Sequence, residues 1–111
     1  MAAPGYRYAS QAEVKVIKAS TPWRVPNIDL AGRPKIVYFT WDFFTSASKA
    51  EKALQIGLYH PHGPFAPPTD RLELDLTGIT YTNAGIVAGG TATEVTTTDS
   101  PLVTNIDALG P

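Results

Sequence analysis

Four of the ten prolines in this 111-residue chain fall within residues 59–68, Tyr-His-Pro-His-Gly-Pro-Phe-Ala-Pro-Pro. Each proline lacks an amide donor and constrains the residue before it, so this stretch forms neither a helix nor a central strand. It reads as a stiff crossover, and it divides the chain into two parts with different patterns. Downstream, Arg71 to Thr77 alternates cleanly, with Leu72, Leu74 and Leu76 on one side and Arg71, Glu73 and Asp75 on the other. That is the period of a strand with one face on a core and one in water. Ile79 to Thr82 continues or pairs with it, Asn83-Ala84-Gly85 offers turn chemistry, and Thr91 to Thr98 reads as a last strand. Nine of the thirteen threonines lie in residues 77–104, as suits a sheet with exposed faces.

Upstream of the crossover, Glu13-Val-Lys-Val-Ile-Lys18 alternates over a few residues and predicts a half-buried strand. Thr21 to Arg33, with Pro22, Pro26 and Gly32, reads as a loop whose Trp23, Val25, Ile28 and Leu30 hold it against something. Lys35 to Phe44 is the most apolar segment and predicts a central strand with Phe39, Trp41 and Phe43 toward the core. One helix is expected near 48–57. Ser48 and Glu51 have capping-box spacing, Ala50, Ala53, Leu54 and Gly57 share a face, and Gly57 can end it. The ends, residues 1–10 and 99–111, carry Pro and Gly without helical period and read as extended arms. The expectation is one domain, mainly β (α+β): a small antiparallel β-sandwich or barrel over residues 11–98, one short helix, and an arm at each end.

Composition narrows the function. With 43% apolar residues the chain can bury a core. Nine Lys and Arg against ten Asp and Glu leave a charge of −1, too little positive charge for a nucleic acid to be the main partner. All nine bases lie in residues 1–71, with five acids, for +4; the remaining forty residues carry five acids and no base, for −5. Such polarity points to complementary ends that meet within one copy or between copies, in an assembly that weakens as salt rises. No apolar run reaches about 18 residues, so no membrane partner is expected, and residues 1–20 lack the apolar stretch of a secretory signal. There is no cysteine, hence no disulfide, thiolate nucleophile or cysteine-based zinc site.

The chemistry-bearing residues are sparse. His60-Pro61-His62 could turn two imidazoles to one metal, but a site needs further ligands and the nearest carboxylate is Asp70, so both read as loop histidines. The serines at 10, 20, 46, 48 and 100 form no nucleophile elbow. Glu73 and Asp75 read as a solvated strand face rather than an acid–base pair. Gly89-Gly90 lacks the lysine and spacing of a phosphate loop. No catalytic residue, cofactor or metal is expected. Large aromatics in proline-containing irregular segments commonly anchor interfaces. The candidate anchors are therefore Tyr6, Tyr8, Trp23, Arg24 and Phe65, with Leu102 and Ile106 holding the C-terminal segment.

A cysteine-free chain of this length with one short helix (Ser48 to Ile56), a compact β body and Pro/Gly-rich arms (Met1 to Ser10, Asp99 to Pro111) resembles the small virion proteins of tailed bacteriophages. Capsid decoration or cement proteins are the most similar, followed by head-tail or tail components. The resemblance is one of architecture and composition, and no functional residue carries over from it. It implies a structural, non-enzymatic protein of the virion, made in the host cytoplasm. Such a protein is a homo-oligomer that binds the major capsid protein or other virion subunits and staples neighbouring subunits. The alternative class is a carbohydrate- or peptide-binding β module.

Overall fold

In the computed structural model, residues 4–29, 31–56 and 67–111 are described here. Phe65, His60 and His62 lie outside them. Six strands and two helices follow one another as β1 (Gly5–Ala9), α1 (Gln11–Lys18), β2 (Val37–Phe39), α2 (Ala47–Leu54), β3 (Asp70–Asp75), β4 (Tyr81–Ile86), β5 (Thr93–Thr97) and β6 (Leu102–Ala108). The fold is mainly β. Two antiparallel three-stranded sheets have the orders β1-β3-β6 and β2-β5-β4.

The leucine alternation of β3 places that strand at the centre of the first sheet, where Leu72, Leu74 and Leu76 are all buried. They meet Val37 and Phe39 of β2, Val95 of β5, Val103 of β6, Val25 and α1 in one core. The sheets join at a single antiparallel bridge, in which Tyr6 and Thr40 exchange both backbone hydrogen bonds at 2.8 and 2.9 Å. Next to it the Arg7 guanidinium ties the sheets to α1, donating to the Tyr38 carbonyl at 2.7 Å and pairing with Glu13 at 2.8 Å.

Several expectations are corrected. Residues 13–18 are helical, not a strand. Ser10 caps α1, its side chain accepting from the Glu13 amide, and the buried residues Val14 and Ile17 are spaced i, i+3. Among the described residues there are thus two helices rather than one. The second is capped by Ser46, two residues before the expected position, and ends at Gln55 in the left-handed region (φ 54°). Its last turn is closed from outside, because the Thr91 and Ala92 amides both donate to the Ala53 carbonyl.

Lys35 to Phe44 is not a central strand. β2 is three residues long and lies at the margin of its sheet, and β5 is central. A side-chain-built turn ends it: the Asp42 amide donates to Thr40 Oγ1, whose hydroxyl donates to the Asp42 carboxylate. Asn83-Ala84-Gly85 is not a turn but a bulge within β4, and Gly85 adopts φ 88°. The chain reverses instead at Val87–Gly90, with the Val87 amide bonded to the Ala92 carbonyl. Among the described residues, neither terminal segment is an extended arm. β1 and β6 are the two flanks of β3 in the first sheet, and Ser46 of the α2 cap bonds the Pro111 carbonyl at 2.6 Å.

Candidate interaction site

The seven candidate anchors separate into three environments. Tyr6 and Tyr8 lie opposite Glu73 and Arg71 on the face of the first sheet turned away from the leucines. The turn at Thr40–Asp42 throws Phe43 and Phe44 over this face. Phe43 meets the Tyr6 ring edge-on at 5.3 Å, and the Arg71 guanidinium sits 4.0 Å from the Phe43 centroid. Arg71 also pairs with Asp107 at 2.9 Å, an ion pair between the basic and acidic parts of the chain. Tyr8 is buried: its hydroxyl donates to the Asp42 carbonyl at 2.8 Å and accepts from the Phe44 amide at 2.6 Å. Tyr8 is buried against Phe44 on this face, not an exposed anchor. Phe43, expected in the core, is 55% exposed.

Trp23, Arg24 and Leu102 are brought together. Val103 donates to the Trp23 carbonyl, Val25 donates to the Pro101 carbonyl, and Arg24 bridges Leu102 between them. Arg24 Nη1 is further tied to the Ser100 carbonyl at 2.8 Å. Trp23 remains partly exposed, whereas Ile106 packs against the core. Beside this seam, an open groove of about 380 Å³ runs between α1 and the 20–28 loop, with Val16, Pro22 and Ile28 as its apolar lining.

The most exposed element is β4, whose first residues were expected as a strand and whose Asn83-Ala84-Gly85 was expected as a turn. All six residues of β4 are exposed, it pairs only with β5, and its other edge has no partner among the described residues. Register partners share a face, so Tyr81, Asn83 and Ile86, opposite Thr97, Val95 and Thr93, lie on the core side of the sheet and overhang it. There Phe39, Trp41 and Tyr81 form a three-ring cluster with centroids 5.4–6.1 Å apart, and Trp41 Nε1 donates to Asn83 Oδ1 at 2.8 Å. The opposite face carries Tyr38, Thr82 and Thr96 in one register row, beside an open groove of about 180 Å³ lined by Ile36 and threonines. The signal for this element was present in the sequence: residues 76–93 contain no Asp, Glu, Lys or Arg.

The shifted titratable groups serve structure. Burial opposes ionisation of Asp42, but its carboxylate accepts from the Thr93 amide at 2.7 Å and from the Thr93 and Thr40 hydroxyls at 2.9 and 3.1 Å, and these together hold it below its ordinary value. Burial pushes the Tyr8 phenol up to about 12, against the lowering effect of the Phe44 amide. Asp75, in the open, is lowered by the amide and side chain of Thr77. Among the described residues no three of His, Cys, Asp and Glu are grouped to hold a metal ion, and no helix is long and apolar enough to cross a membrane. No family model, curated protein or solved structure matches the chain.

Proposed function

We propose that this chain is a structural, non-enzymatic assembly component that docks onto neighbouring subunits through a strand edge. The resemblance noted in its composition makes the virion, as a capsid decoration or cement subunit, the setting in which we place it. The observation that carries the reading is β4, an exposed strand with an unpaired edge among the described residues and not one charged side chain. Soluble monomers normally blunt such edges with charge, proline or cover, because unpaired amides and carbonyls recruit another strand. An incoming strand gains main-chain hydrogen bonds from the edge. Its alternate side chains meet the Trp41–Tyr81 shelf on one face and the threonine row on the other.

The docking surface is the folded body. The stapling that extended arms would provide is instead assigned to the β4 edge, with exposed Phe43 as a second contact point. Multivalent attachment through weak sites then supplies avidity. Co-sedimentation of the purified chain with capsids, and separately with head-tail and tail structures, tests the reading. Binding that Thr82→Lys on the β4 edge abolishes is the expected result. A folded chain that ignores all of these particles contradicts it.

A further inference from the structure

The β4 bulge has a consequence for what can pair there. In a regular strand Tyr81 and Ile86, five residues apart, would face opposite sides. The extra residue between Asn83 and Ile86 reverses the alternation, so both large side chains lie on the core side, 41% and 58% exposed. A second β4 running antiparallel across the edge that is unpaired among the described residues, related by a two-fold axis, therefore sets Tyr81 of each copy against Ile86 of the other. The shared row buries apolar on apolar at both ends and extends the Trp41–Tyr81 shelf across the seam.

The register match favours a second copy, and charge does not oppose it. The seam carries none from residue 76 to 93, so two copies meet without like-charge opposition, and neither desolvates an ion. From these observations we infer that the partner at the β4 edge is a second copy of this chain. The two copies form an isologous dimer with a continuous six-stranded sheet β2-β5-β4-β4-β5-β2. This inference rests on the reading of β4 as a docking edge and names its occupant.

Sedimentation equilibrium of the full chain tests it, with Thr82→Lys and Ile86→Thr as variants and circular dichroism to confirm that each is folded. Thr82 faces away from the core, so the lysine charges the edge without entering the packed interior. The wild type should approach twice its 11.9 kDa as concentration rises. Each variant should weaken self-association by at least about tenfold, since edge charge and lost apolar cover both oppose pairing. A wild type monomeric at every concentration overturns the dimer, as does a dimer that neither variant weakens. A monomer whose β4 edge still binds capsids leaves the docking reading standing and removes self-pairing. A monomer that binds nothing removes both.

Discussion

The Tyr8 hydroxyl holds two backbone groups at once, the Asp42 carbonyl and the Phe44 amide, and these fix the loop that carries Phe43. Tyr8→Phe leaves both without a partner in a mostly buried setting and should cost about 1–3 kcal/mol in denaturant unfolding. It should also alter the alkaline limb of stability. The phenol's pKa is raised from 10.0 in a free chain to about 12 in the fold, so its contribution is complete below pH 10 and is lost as pH rises toward about 12. Tyr8→Phe should flatten that limb. Asp42 works in the other direction: its lowered pKa gives stability that is present above 3.8 and lost as pH falls through the lower folded value. Asp42→Asn should remove that acid slope. Gly5 is a tighter case. A Cβ there would lie 2.6 Å from the Phe39 ring, and the ring is buried, so Gly5→Ala should destabilise by about 1–3 kcal/mol on overpacking grounds.

At the level of elements, the two helices show where sequence signals compete. Glu-Val-Lys-Val-Ile-Lys alternates over residues 13–18, and alternation suggested a strand. Ser10 and Glu13 also have capping-box spacing, and the cap prevails because Val14 and Ile17 then reach the core together, leaving Val16 58% exposed. For α2 the spacing was readable but the cap was two residues off, since Ser46 and Ser48 are both serines in polar context. Ser46→Ala should cost about 1 kcal/mol, while Ser48→Ala should stay within about 0.5 kcal/mol; thermal unfolding of the pair decides which serine caps. The leucine alternation of β3 was fully legible, because a strand buried on one face at the centre of a sheet displays its period most cleanly. β4 was not. Asn83-Ala84-Gly85 is compatible with a turn or a bulge, and only pairing with β5 chooses between them. The terminal segments were misread for a related reason: Gly5-Tyr-Arg-Tyr-Ala and Leu102–Ala108 carry no strong period because their burial depends on β3, a partner distant in sequence. Deleting residues 99–111 should therefore abolish the folded signal in circular dichroism, since a first sheet reduced to two strands loses its flank on Leu72 and Leu74.

For the whole molecule, the charge polarity read along the sequence is answered in part within one copy. Arg71 pairs with Asp107, and Arg24 lies against residues 100–102, so basic and acidic parts interleave within one copy. Only two ion pairs, Arg7–Glu13 and Arg71–Asp107, are formed among the described residues; both are partly buried, and neither lies on β4. Association through the uncharged β4 seam should accordingly be nearly indifferent to salt, in contrast to the salt-weakened assembly that the sequence polarity suggested. Amide hydrogen exchange of β4 tests the central claim most directly, comparing the dilute chain with the chain assembled at high concentration or on particles. The account predicts that alternate amides of Tyr81–Ile86 exchange rapidly when dilute and become protected on assembly, while β1 and β3 stay unchanged. Protection that appears instead along the Val16–Ile28 groove, with β4 still exchanging rapidly, would contradict it.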